Sequence, residues 1–373
     1  MRIAVLLSGG VDSSVALRLL HAAGHELTAF YLKVWLEDEL AHLGACPWED
    51  DLRYARAVCE AVDVPLEVVP LQREYHERVV AWTVAELRAG RTPSPDVLCN
   101  RSVKFGAFVE RLGAARAGFD KVASGHYARV DHDGSRWRLL RGVDPVKDQT
   151  YFLFQLDQEQ LARAVFPLGG LTKAQVRALA RELGLPNHDR RDSQGICFLG
   201  KLPYEEFVRG YLGERPGEIR EIETGRTLGE HRGVWFHTVG QRKGLGLHGG
   251  PWYVVAKDLE HDVVLVSHRV DLARHRRGRF RVAGMHWIGE PPAKDSLEVR
   301  VRHSPNTYAC RLEALADGGL EVTLDAEDPG IAAGQWAVFY DGEQCLGGGM
   351  IVTDPHPPNP PLPEGEGGSD LGI

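Results

Sequence analysis

Through the first half of the chain, short apolar runs alternate with segments whose apolar residues recur at helical spacing. Residues 3–7, 27–32, 66–69 and 122–124 read as strands, and 11–21, 52–62 and 75–88 as helices between them. Such alternation predicts a parallel sheet covered by helices on both faces. A hairpin is expected where 127–130 and 136–140 flank Asp133-Gly134. Thr172 with Gln175 three residues on forms a capping-box pattern, opening a helix that stops at Gly184 before Pro186. Another helix is expected to begin near Ser102.

After about Gly200 the pattern changes to short β-type runs separated by glycines: 217–222, 234–239, 252–256 and 263–266. A third block carries runs at 280–288, 297–303, 308–312, 320–324, 335–340 and 345–351. Regular strands with turn signals predict a small antiparallel barrel. From Asp354 the chain is rich in Pro and Gly and reads as a disordered tail. The expected division is an α/β unit over 1–200, a β-rich central domain over 201–274, a C-terminal β-barrel over 275–353 and the tail over 354–373.

Composition narrows the function classes. Of the 373 residues, 43% are hydrophobic and 26% charged, which supplies real cores and argues against a mainly disordered chain. No apolar stretch approaches the roughly 20 residues that span a bilayer, and the N-terminus reads as a buried strand, so no membrane association and a cytoplasmic location are expected. Six cysteines are spread along the chain without a C-x-x-C pair, against a zinc site or a secreted disulfide scaffold.

The strongest chemical signal follows the first strand: Ser8-Gly9-Gly10-Val11-Asp12-Ser13-Ser14. Two glycines allow a sharp turn close to an anion, and the serines with the first helical amides can bind phosphate oxygens. It is not a Walker A loop, because no Lys precedes the serines. The segment resembles the signature of the PP-loop ATP pyrophosphatases, which implies a Rossmann-like (adenine nucleotide α hydrolase-like) domain, ATP with Mg2+, and adenylation of a substrate oxygen with loss of pyrophosphate.

Two cysteines lie in polar, turn-rich surroundings. Arg91-Thr92-Pro93-Ser94-Pro95-Asp96-Val97-Leu98-Cys99-Asn100 can place Cys99 near a helix N-terminus, which favours the thiolate. Asp192-Ser193-Gln194-Gly195-Ile196-Cys197-Phe198 holds Cys197 in a Gly-flanked loop. Either one alone reads equally well as a small buried hydrophobe, as Cys59, Cys310 and Cys345 do. Cys46 sits in a loop expected to be exposed.

With Ser124-Gly125-His126-Tyr127-Ala128-Arg129, Lys147-Asp148-Gln149-Thr150-Tyr151-Phe152-Leu153 and Val239-Gly240-Gln241-Arg242-Lys243-Gly244-Leu245-Gly246, the ordered set resembles the bacterial tRNA-specific 2-thiouridylases of the MnmA type over about residues 1–353. The resemblance implies that Leu7, Ser8, Gly9, Gly10, Val11, Asp12, Ser13 and Ser14 hold ATP, with Leu32 and Gly125 against the adenosine and His126 beside them. It makes Cys99 the nucleophile, Cys197 the persulfide carrier and Asp96 the acidic residue beside the nucleophile. Ser94, Pro95 and Asp96 would meet the target base, although the family usually has Asn in place of Ser94. Asp148, Gln149, Thr150, Arg300 and Val301 match tRNA-contacting positions, and Gln335 one linked to tRNA selectivity. The implied reaction replaces the C2 oxygen of the wobble uridine in tRNAs for Lys, Glu and Gln, with sulfur from a cysteine desulfurase or sulfur-relay protein. A monomer is expected.

The chemistry makes sense of the parts. A pyrimidine carbonyl oxygen leaves only after activation, and adenylation makes it part of departing AMP. Attack by persulfide or by freed hydrosulfide both need two cysteines that can meet, and a reducing cytoplasm disfavours a permanent disulfide. The net charge of −8 argues against RNA as an average, yet two blocks, Glu37, Asp38, Glu39, Glu49, Asp50, Asp51 and Asp354, Glu364, Glu366, Asp370, contain no basic residue, and without them the remainder is +2. Arg269, Arg274, Arg276, Arg277, Arg279 and Arg281 form a basic cluster suited to phosphates, and the target uridine would leave its stack to react. Two other classes are a small-molecule adenylating synthetase, disfavoured by the cysteine pair, and a non-catalytic tRNA-binding or sulfur-carrier protein, disfavoured by the intact loop.

Overall fold

The computed structural model describes residues 1–34, 47–114, 118–191 and 203–352. Its first unit is built on β1 (Arg2–Leu6), β2 (Glu26–Lys33), β3 (Leu66–Pro70) and β4 (Lys121–Ala123). The chain then makes a hairpin, β5 (Ala128–His132) and β6 (Trp137–Arg141), before returning as β7 (Ala164–Val165). The sheet has the order β3-β2-β1-β4-β7, and every pairing in it is parallel.

Period-two alternation in β1 divides the packing. Ile3, Val5 and Leu7 enter the core beneath the helix α1 (Val11–Ala22), while Ala4 and Leu6 enter a second core on the opposite face. A strand buried on both faces reads as a continuous apolar run, as this one does. Helix α2 (Pro47–Glu60) joins the first core through Leu52, Ala55 and Val58, and the second core is closed by two long helices with π-type turns, α3 (Gln72–Tyr75, His76–Val80 and Ala81–Arg88) and α4 (Pro95–Leu98, Cys99–Ala107 and Phe108–Ala114). The helix expected from near Ser102 therefore begins at Pro95. Proline at the first helical position loses no needed hydrogen bond and has the right φ, so Cys99 lies one turn inside the helix and not at its end.

Further on come α5 (Thr150–Leu153), α6 (Gln158–Arg163) and α7 (Lys173–Glu182). Thr172 and Gln175 make both bonds of the capping box that opens α7.

After α8 (Tyr204–Leu212), the central unit is a four-stranded sheet of β8 (Gly217–Glu221), β9 (Thr227–His231), β10 (Trp252–Asp258) and β11 (Val263–His268), in the order β10-β11-β8-β9. The expected strand over 234–239 is instead a 3₁₀ turn, Val234–Phe236. Gly233 and Gly240 bend the chain at its two ends, and Val234 still reaches the core of this unit.

The last unit contains β12 (Arg277–Trp287), β13 (Ser296–Arg300), β14 (Tyr308–Ala314), β15 (Leu320–Asp328), β16 (Trp336–Asp341) and β17 (Gln344–Val352). They pair in the order β12-β15-β14-β13-β16-β17, and β17 closes on β12. This is a closed antiparallel barrel. The β5/β6 hairpin does not extend the parallel sheet: Leu139 and Leu140 of β6 pair with Cys345 and Gln344 of β17, so the first unit lends two strands to the barrel's sheet. No helix among the described residues is long and apolar enough to cross a membrane.

Candidate active site

The loop after β1 is shaped by its glycines. Gly9 has φ +73°, and a Cβ there would lie 2.2 Å from the Asp51 carbonyl oxygen, so neither the conformation nor the space admits a side chain. Gly10 caps α1 without any side-chain bond, leaving first-turn amides without intrahelical acceptors. Together with the helix dipole these amides form an anion site. Ser13 and Ser14 both donate to the Gly10 carbonyl, at 3.1 and 2.9 Å, and Ser8 N donates to Ser13 Oγ at 3.2 Å. Ser14 is fully buried and braces the loop, while Leu7 and Val11 enter the adjoining core.

Four side chains that sequence reasoning missed fix this loop from a distance. Asn187 donates to Gly9 O at 2.8 Å and to Ser14 Oγ at 2.9 Å, and Arg190 donates to Gly9 O at 3.1 Å. Asp12 accepts from Tyr127 Oη at 2.8 Å and from Lys173 Nζ at 2.7 Å. Local motif signals exist only for Tyr127, within the 124–129 segment. Gly125 closes the cradle, since a Cβ there would stand 2.7 Å from Ser13 N. Leu32 is half-buried in β2. An uncapped helix start and two glycine-lined backbone approaches fit a phosphate-bearing ligand such as ATP.

From Gly125 the site continues towards Cys99. His126 Nδ1 lies 2.7 Å from Ser124 Oγ, and its ring meets Phe166 edge-on at 6.0 Å. Burial first, and the positive charge of Lys104 second, hold the imidazole well below its ordinary pKa, so it is neutral at pH 7. Lys104 Nζ donates to Asn100 Oδ1 at 2.9 Å, and Asn100 Nδ2 donates to Phe152 O at 2.9 Å. Asn100 is the neighbour of Cys99, which is only 2% exposed. Chain neighbours, the Lys104–Asn100 bond and the charge of Lys104 felt at His126 thus link the phosphate loop to the Cys99 helix. Asp96 sits three residues before Cys99 on the same helix, a spacing that shares one face.

Cys197 and Cys46 lie outside the described residues. The thiols of Cys59 and Cys310 are pushed up to about 12 by burial, and burial also raises Cys345, which suits inert core positions.

Most of the positions matched to tRNA contacts are buried. Asp148, Thr150 and Arg300 are buried where the first unit meets the barrel, and Val301 is buried in the barrel's own core. Asp148 accepts from Arg300 at 2.6 Å and from Gly142 N at 3.0 Å, and Thr150 Oγ1 lies 3.2 Å from Tyr340 Oη. The polar side chains of Asp148, Thr150 and Arg300 are occupied by each other and by Tyr340. Gln149 accepts from Tyr127 N at 3.0 Å, Gln335 donates to Thr92 O at 2.8 Å, and Ser94 O accepts from Trp336 Nε1 at 3.3 Å. The arginine cluster is also more varied than its sequence: Arg274 pairs with Asp271 and Arg279 with Glu321, whereas burial lowers the Arg277 pKa. Arg269 and Arg276 are exposed and make no ion pair among the described residues.

Comparison with known proteins places the chain in a class of tRNA-modifying enzymes with a nucleotide-binding first domain. Residues 1–201 match the tRNA methyl transferase HUP domain, 205–268 the tRNA methyl transferase PRC-barrel domain and 277–351 the aminomethyltransferase beta-barrel domain. Within that class the chain belongs to the bacterial tRNA-specific 2-thiouridylase family. It is 45% identical to a tRNA-specific 2-thiouridylase of Bacteroides thetaiotaomicron over 94% of this chain and 100% of that protein. It is 42% identical to one of Parabacteroides distasonis over 95% of this chain and 99% of that protein. Among solved structures, an NMN synthetase from Francisella tularensis covers 56% of this chain and 71% of its own at 18% identity, with a TM-score of 0.33, too slight a likeness to argue from.

Proposed function

We propose that this chain is an ATP-dependent tRNA 2-thiouridylase that replaces the C2 oxygen of the wobble uridine with sulfur. The observation that carries the reading is the path from the phosphate loop to Cys99: Gly125 against Ser13, His126 next in the chain and within the field of Lys104, and Lys104 bonded to Asn100 beside Cys99. An activating site and a thiol carried by one domain are what oxygen-for-sulfur exchange requires.

ATP supplies the adenylyl group that turns the uridine oxygen into a leaving group. Leu7, Ser8, Gly9, Gly10, Val11, Asp12, Ser13 and Ser14 bind its phosphates mainly through backbone, with Leu32 and Gly125 at the adenosine. Magnesium arrives with the phosphates and needs no all-protein cage. Ser94, Pro95 and Asp96 receive the extruded base, and neutral His126 borders it. Cys197, charged with a persulfide by a donor protein, attacks C2 through its outer sulfur, and AMP leaves with the oxygen. The Cys99 thiolate then attacks Cys197 Sγ. The persulfide S–S bond breaks, its outer sulfur stays on C2 as 2-thiouridine, and a Cys99–Cys197 disulfide forms for an external reductant to reopen. The burial of Cys99 keeps water from competing for the activated uridine.

In this reading 1–200 activates and reacts, 201–274 connects, and 275–353 grips tRNA, with 354–373 dispensable. Gln149 and Gln335, whose side chains are half-exposed, are better placed to touch RNA than Asp148, Thr150, Arg300 or Val301. Arg269 and Arg276 meet backbone phosphates. A cytoplasmic location follows from the substrate. The test is direct: full-length protein with ATP, Mg2+, a persulfide donor and unmodified tRNA should yield 2-thiouridine on nuclease digestion.

A further inference from the structure

All three structural units converge on the short segment that leads into the Cys99 helix. Leu259, at the tip of the β10/β11 hairpin, packs against Gly90, where a Cβ would lie 2.5 Å from Leu259 Cδ1. Thr92 is bonded on every polar atom: its N donates to Ala333 O at 2.8 Å, its O accepts from Gln335 at 2.8 Å, and its Oγ1 lies 3.3 Å from Thr238 Oγ1 of the central unit. Two residues on, Ser94 O accepts the indole N–H of Trp336. Trp336 is itself held, since its backbone N donates to Tyr151 Oη at 3.2 Å and its carbonyl accepts from that hydroxyl at 3.1 Å. Gly334 has φ +88°, and a Cβ there would lie 2.8 Å from Thr92 N, so barrel backbone is pressed directly on this segment.

From these contacts we infer that Thr92, Thr238 and Trp336 are positioning residues, through which the central unit and the barrel set the placement of Asp96 and Cys99. Thr238 lies just before the 239–246 motif, which has no other assigned task in the reaction, and Gly240 of that motif itself packs on Gly330 of the barrel, where a Cβ would come within 2.9 Å of Cα. Neither peripheral unit touches the reacting atoms in this role. They fix the start of the helix that carries them, and a misplacement of about 1 Å there costs on the order of 10²-fold in rate.

The inference rests on the thiouridylase reading, and its test separates the two. In the full chain, Thr238→Val and Trp336→Phe each remove one bond of the convergence. We expect kcat for 2-thiouridine formation to fall roughly tenfold in each variant, with the KM for tRNA unchanged, and Thr238→Ser to restore the rate. Amide exchange without tRNA should accelerate over 92–99 in the two impaired variants and nowhere else. Wild-type rates in both variants, a KM that rises by the same factor as the rate falls, or faster exchange throughout the chain would overturn the inference. If wild-type protein makes no 2-thiouridine, the functional reading fails, and the exchange measurement still decides whether the segment is positioned this way.

Discussion

Arg300 donates to Asp148 at 2.6 Å across the boundary between barrel and α/β unit, and neither side chain is more than 2% exposed. The guanidinium also lies over the Tyr340 ring, 5.1 Å from its centroid. Removing one partner strands the other charge in the interior, at a cost of roughly 3–5 kcal/mol. Asp148→Ala should therefore lower the urea midpoint strongly, while a tRNA-facing role would leave stability alone and reduce the salt dependence of binding.

The cradle at the phosphate loop makes a sharper prediction. In Gly125→Ala the new methyl meets the Ser13 backbone at 2.7 Å. Overpacking of that kind costs about 1–3 kcal/mol. Because the strain falls on the binding loop, ATP affinity measured by equilibrium binding should drop roughly tenfold, with a smaller change in melting temperature.

Acid sensitivity follows from the desolvated imidazoles. Desolvation lowers His231 and His286, holds His126 well below its ordinary 6.5, and brings His237 to about 4. The unfolded chain takes up protons near 6.5 that the folded chain refuses. These groups therefore contribute their full stability above that value and lose it as pH falls towards 4. Urea midpoints should decline between about pH 7 and 5, and His237→Leu should flatten the decline.

Binding of tRNA should depend on the exposed arginines without ion pairs. Arg269→Ala and Arg276→Ala are each expected to weaken binding and to reduce the salt slope by about 0.7–0.9. Arg279→Ala should change it less, because Glu321 already neutralises that side chain.

Much of this arrangement was legible where the signal is local. The alternation in β1, the glycines after it and the capping box at Thr172 each specify their structure within a few residues. The start of α4 was misread because Pro93 and Pro95 look like turn residues, although Pro95 serves as the first helical position. Long-range partners leave no such trace: Lys173 reaches Asp12 across 161 positions and Arg300 reaches Asp148 across 152. The destination of the β5/β6 hairpin was hidden for the same reason, since its partner strand lies near the far end of the described chain.

The central claim is that Cys99 and Cys197 act on an adenylated uridine. It is tested most directly by single-turnover assay of unmodified tRNA with ATP, Mg2+ and a persulfide donor, followed by nucleoside analysis. Wild-type protein should form 2-thiouridine, Cys99→Ser and Cys197→Ser should form none while still binding tRNA, and Cys59→Ser should match wild type. Product from either single variant at the wild-type rate, or none from the wild type, would contradict the account.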